Sequence, residues 1–113
     1  MTITEVRGLS LVAFGHKYRL ELMAALGLAD QGKGVCLTLL AACCGAPASA
    51  YYPPVRALER HGMVRRIGRV PEGRQVLYAR TEGPVWTGLQ QIAENLGMDV
   101  DLRSAALEWS AAS

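Results

Sequence analysis

Val55-Arg56-Ala57-Leu58-Glu59-Arg60-His61-Gly62-Met63-Val64 is the stretch that decides how this chain folds. Val55 and Leu58 lie three apart, on one helix face, and Gly62 is a stop signal followed at once by apolar residues. Upstream, Pro53 and Pro54 set the earliest interior point of that helix. Proline is accepted in a first turn, where its missing N–H has no partner to lose, and breaks bonds further in. The regular helix is therefore predicted to begin near Tyr52 or Pro53, after an irregular turn from Pro47 to Tyr51. Downstream, Met63 to Val70 and Gln75 to Arg80 read as two strands. Pro71-Glu72-Gly73-Arg74 joins them, with glycine where a hairpin connection needs positive φ. In the second strand Val76, Tyr78 and Arg80 alternate with Leu77 and Ala79.

Charge marks out the same region. Between Pro53 and Arg80 there are seven arginines and two acidic residues, a net of +5. The rest of the 113 residues hold five basic and eight acidic, a net of −3, so the overall +2 conceals a one-sided field. Such a field suits a surface that binds a polyanion. The guanidinium fork can grip a phosphate, or the edge of a guanine, at two points.

Size and composition bound the rest. The length is that of one domain, 1–113, with a core over about 14–96 and a C-terminal extension over 98–113. Half the residues are hydrophobic, enough for a core without metal or disulfide staples. Three cysteines, with Cys43 and Cys44 adjacent, do not make an extracellular disulfide framework. No apolar run reaches the roughly 20 residues that span a bilayer, and the first eleven residues lack a signal-peptide pattern. The expected compartment is the cytoplasm.

Helical periodicity dominates the first half. Val6, Leu9, Leu11, Val12 and Phe14 suggest a short helix closed near Gly15. His16 to Leu26 suggests a second, with Leu20, Leu22, Met23 and Leu26 buried and Gly27 ending it. A loop follows over 27–34. A third helix is predicted from Val35 to Cys44, apolar on all sides and so expected to be central, with Gly45 beyond its C-terminus. Pro84 opens a fifth helix carrying Val85, Leu89, Ile92 and Leu96. Leu102, Ala105, Ala106 and Trp109 could form a last turn or two.

In this order the elements give an α+β, mainly helical fold: about five helices and a two-stranded hairpin. Three fragments resemble the ArsR-like and related winged helix-turn-helix repressors over roughly 14–92. The first is Phe14 to Met23, similar to the family's entry helix, with Arg19 and Leu20 matching. The second is Leu40-Ala41-Ala42-Cys43-Cys44-Gly45, similar to the close of the first helix of the motif. The third, and nearest, is Val55 to Val64, similar to the end of a recognition helix and the start of a wing.

The resemblance implies a DNA-binding transcriptional regulator, a repressor, with double-stranded DNA as partner. It implies a recognition helix around 52–61 and a wing around 63–80. With Val55 and Leu58 inward, Tyr52, Arg56 and Arg60 share the outer face. Ser49 falls where a turn can meet a phosphate or base, and Arg69 and Arg74 lie at the hairpin tip. Arg65 and Arg66 lie at its root, where one of them can instead pair with Glu59; Arg60 can equally serve as a helix-terminal cation. The Pro53-Pro54 pair departs from the family pattern and removes side chains that would read bases.

That departure keeps a second reading open, a winged helix that docks proteins through Tyr51, Tyr52, Pro53 and Pro54. Thiol-redox or metal sensing is the third. Cys36 and Cys43 would share a face of the third helix but lie about 10 Å apart along it, too far to chelate one ion, and His16 and His61 offer no clustered spacing. No nucleophile elbow, phosphate loop, zinc-protease pattern or acid pair points to an enzyme, and no cofactor is expected. The resemblance, with the apolar excess of the first helix and the 84–96 helix, suggests a homodimer.

Overall fold

A computed structural model of the chain describes residues 2–29, 31–69 and 75–95. Helix α1 (Ile3–Phe14) opens on a capping box: the Thr2 hydroxyl accepts the Glu5 N–H while the Glu5 carboxylate reaches back to the Thr2 N–H. It closes at Gly15 in the left-handed region. Ser10, buried on α1, caps its neighbour: its hydroxyl accepts the Leu20 N–H at 3.0 Å, in the first turn of α2 (Arg19–Leu28).

Helix α2 runs through Gly27 instead of ending there. That position faces Trp86 and Gln90 of α5 (Pro84–Asn95), and a Cβ there would lie in ordinary contact, 3.7 Å from the Gln90 side chain and 3.8 Å from the Trp86 ring. The C-terminal carbonyls of α2 are met by a residue far along the chain. The Arg80 guanidinium donates to the Leu26 carbonyl at 3.1 Å and also to that of Ala29.

Val35 and Cys36 do not belong to the third helix. They form a short strand, β1 (Val35–Cys36), paired antiparallel with β3 (Val76–Arg80), Val35 opposite Tyr78 and Cys36 opposite Leu77. Gly34, at φ +72°, makes the approach possible: a Cβ there would sit 2.8 Å from the Tyr78 carbonyl oxygen. Helix α3 (Leu37–Cys44) follows and is not enclosed on all sides. Leu37, Leu40 and Ala41 are buried, whereas Thr38, Ala42 and Cys43 face solvent.

A 3₁₀ turn, Ala48–Ala50, leads into α4 (Tyr52–Arg60), whose two prolines occupy its first turn as expected. Its first intrahelical N–H comes from Val55, bonded to the Tyr51 carbonyl at 3.0 Å. Strand β2 (Val64–Arg69) pairs with β3, giving the sheet order β1-β3-β2. The fold is a winged helix with a three-stranded sheet, one strand more than the predicted hairpin.

Leu20, Leu22, Leu26, Leu40, Tyr51, Val55, Tyr78, Trp86 and Leu89 supply much of the core. On α5, among the described residues, Trp86 and Leu89 are buried, while Val85 and Ile92 of the predicted apolar stripe are exposed. The Trp86 indole N–H donates to the Met63 carbonyl at 3.1 Å, fixing α5 to the root of the wing. The hairpin connection, Leu96 and the 98–113 extension lie outside the described residues.

Candidate nucleic-acid interface

Helix α4 is seated from below by a buried ionic cluster. Glu21 of α2, with no exposed surface, accepts from Arg7 of α1 through both carboxylate oxygens, at 2.7 and 3.2 Å, and from the Tyr51 hydroxyl at 2.6 Å. Arg7 also donates to the Cys44 carbonyl at 2.7 Å, at the end of α3, where a cation complements the helix dipole. Helix α1 and the residue that caps α4 therefore meet on one carboxylate of α2, and α3 joins them through Arg7. The hydrogen bond to Glu21 holds the Arg7 pKa above its ordinary value. Burial, then the same carboxylate, pushes the Tyr51 hydroxyl up. Tyr51 also packs edge-on against Tyr18, ring centroids 6.1 Å apart, and Arg7 lies over the Tyr18 ring.

Tyr51 and Pro54 are accordingly core residues, with Tyr51 at 0% exposure. The docking surface imagined from Tyr51, Tyr52, Pro53 and Pro54 does not exist as a patch. Helical rotation turns Tyr51 and Pro54 toward α2, leaving Tyr52 and Pro53 outside.

The outer face of α4 carries what its spacing suggested. Tyr52, Arg56 and Arg60 are exposed, and the Arg56 guanidinium stacks 5.6 Å from the centre of the Tyr52 ring. Ser49 is exposed in the preceding turn. Val55 is fully buried and Leu58 packs against the core, so the inward pair is as predicted.

On the wing, sheet register sorts the arginines. Arg66 pairs with Tyr78 and Arg69 with Val76, so both share the sheet face of those β3 residues. Three positions apart in a regular strand they would face opposite ways. A register shift between Arg66 and Gly68 re-phases the strand, with Gly68 at φ +154°. That face looks toward α4, because Arg66 reaches Glu59 of α4 with two hydrogen bonds, 2.9 and 3.4 Å. The pairing foreseen for Arg65 or Arg66 thus belongs to Arg66, whose pKa the Glu59 carboxylate raises. Arg65 pairs with Ala79 on the opposite face and borders a cleft with Gln31, Arg80 and Glu82.

Among the described residues, no carboxylate pairs with Arg56, Arg60, Arg65 or Arg69. Arg66 and Arg80 are engaged within the fold. Arg74 lies outside the described residues. The convergence of guanidinium groups is therefore narrower than their count implied: Arg56, Arg60 and Arg69 remain on the side of α4 and the wing.

The cysteines do not sit as expected. Cys36 is buried on β1, not on a helix face with Cys43, and Cys43 is exposed. Cys44 is half-buried, and burial pushes its thiol up to about 11. Among the described residues, no three His, Cys, Asp or Glu side chains gather as a metal site would require, and no helix is long and apolar enough to cross a membrane. Apolar surface is left on two helices: Leu9, Leu11, Val12 and Phe14 on α1, and Val85 and Ile92 on α5, with Val12 85% exposed.

No protein-family model matches this chain, and no curated protein matches it. Among solved structures it is similar to the X-ray crystal structure of a transcriptional regulator of the MarR family from Rhodococcus sp. RHA1, at 26% sequence identity. The match covers 95% of this chain and 69% of that one, with a TM-score of 0.50. The likeness supports the winged-helix regulator architecture and is to a MarR-family protein, not to an ArsR-like one.

Proposed function

We propose that this protein is a DNA-binding transcriptional regulator. The observation that carries the reading is the outer face of α4, where exposed Arg56 and Arg60 follow Tyr52 and, among the described residues, no carboxylate neutralises either. A helix of that kind enters a major groove with one face while the other packs on the domain. Arg56 and Tyr52 meet bases or phosphate, Arg60 and Ser49 meet the backbone, and Arg69 with Arg74 reaches the flanking backbone or minor groove. Arg65, on the far face of the sheet, contributes least, and Arg66 is set apart by its pairing with Glu59. The likeness to a solved MarR-family transcriptional regulator supports the same reading.

The protein acts as a homodimer, through the exposed apolar residues of α1 and α5, as a cytoplasmic repressor. Two recognition helices then address half-sites about one helical turn of DNA apart. Kinship to ArsR-like repressors rests on the three sequence fragments and remains part of this proposal. Binding to the chain's own upstream DNA, against random duplex, tests it. Wild type should retain both and prefer the first, Arg56→Ala should lose the preference, and equal retention of both duplexes by both proteins would refute it.

A further inference from the structure

Glu59 lies three residues after Arg56 on α4, within reach of it on the helix surface. It nevertheless pairs across to the wing, where Arg66 takes both of its oxygens at 2.9 and 3.4 Å. Arg56 is left stacked on Tyr52 and without a carboxylate partner among the described residues. The outer face of α4 offers no asparagine or glutamine, the side chains that read adenine bidentately; arginine reads guanine through O6 and N7. Resting on the DNA-binding reading above, we propose that Arg56 reads a guanine and that Arg66 is a positioning residue, which withholds Glu59 from Arg56 and does not itself contact DNA.

Removing Arg66 should free Glu59 to capture Arg56 and to place an uncompensated negative charge beside the groove. Removing Glu59 as well should restore the guanine contact, with the same net charge as wild type. A direct phosphate contact by Arg66 would behave differently, because losing Glu59 could not replace it.

The test begins with duplexes selected by the wild-type protein from a random pool. Each guanine of the selected site is then replaced by 7-deazaguanine, which lacks N7, and the affinity ratio is measured. Charge effects common to both duplexes cancel in that ratio. At one position wild type should discriminate by about five- to tenfold, within the range for a bidentate arginine–guanine contact. Arg56→Ala should abolish the discrimination and Arg66→Ala should reduce it severalfold. Arg66→Ala/Glu59→Gln should recover it to within about twofold, with the salt slope unchanged by loss of Arg66 alone, since that slope counts phosphate contacts.

A slope that falls by about one in Arg66→Ala, with no recovery in the double variant, would overturn the inference and make Arg66 a phosphate contact. Discrimination indifferent to Arg56 or to Arg66 would overturn it as well. Failure of wild type to bind any duplex would overturn the functional reading itself, a different and separable result.

Discussion

The Tyr51 hydroxyl lies 2.6 Å from Glu21 Oε2, and this bond joins the residue before α4 to a carboxylate that has no contact with solvent. Arg7 supplies the countercharge from α1. The orientation of α4 thus depends on a polar cluster in which each member satisfies another. Buried clusters of that kind are costly to leave half-made.

Breaking the cluster should show that asymmetry. Tyr51→Phe removes one hydrogen bond to a charged group and should lower stability by about 1.5–3 kcal/mol. Arg7→Met strands the carboxylate and should lower it by about 3–5 kcal/mol. Urea unfolding of the two variants beside wild type measures both. Equal losses would mean that Arg7 does not neutralise Glu21.

Alkaline pH should weaken the fold. The Cys44 thiol rises from 9.0 to about 11 on folding, so between those values the unfolded chain ionises there while the folded one keeps its proton. The unfolded state then binds fewer protons, and stability falls as pH rises through that window. The raised Tyr51 hydroxyl acts in the same direction at higher pH. Urea midpoints from pH 8 to 11 should decline less steeply in Cys44→Ala than in wild type, and parallel declines would remove Cys44 from the account.

Two glycines with positive φ should respond unequally to alanine. At Gly34 a Cβ meets the Tyr78 carbonyl at 2.8 Å, whereas at Gly45 nothing lies within 4 Å. Gly45→Ala should cost about 1–2 kcal/mol for its left-handed backbone alone. Gly34→Ala should cost more, because β1 must also move off β3. Thermal melts decide the order.

The arginines should separate into two classes. Arg80→Ala uncaps α2 and should lower the melting temperature without changing the salt slope of DNA binding. Arg56→Ala should weaken DNA binding and leave the melting temperature unchanged. Arg69→Ala should weaken DNA binding more than Arg65→Ala, since the two sit on opposite faces of the sheet. Uniform effects across the four would contradict the sorting by register.

Dimerisation should be sensitive to charge on the exposed apolar helices. Val12→Glu and Ile92→Glu each place a carboxylate on a surface that is open in the single chain. Sedimentation should find wild type dimeric and the double variant monomeric yet folded. A monomeric wild type would refute the assembly.

Much of this was legible in the residues, for identifiable reasons. Gly15, Gly45, the proline pair and Pro84 punctuate the helices locally, so α1, α4 and α5 fell near their observed bounds. The Arg66–Glu59 pairing was foreseeable because the hairpin root must pass the end of α4. What the sequence hid depends on distant partners. Val35 and Cys36 continue an apolar run, and only pairing with β3 makes them a strand. Gly27 looks like a helix stop until Trp86 packs on it. Arg7 and Glu21 drew no notice because neither sits in a motif, and their meeting is a product of helix packing. Tyr51 was misjudged as surface because a one-residue difference in helical phase separates it from Tyr52. The re-phasing between Arg66 and Gly68 that brings Arg66 and Arg69 to one face left only a glycine as its trace.

Titration of a labelled duplex with the wild-type protein, repeated between about 50 and 200 mM salt, probes the arginine face itself. If α4 and the wing lie along DNA in two copies, with Arg60 and Arg69 of each on phosphates, log K should fall with log salt at a slope of about −3 or steeper. Affinity that stays level across that range, or no binding at its lower end, would mean that this surface serves another partner.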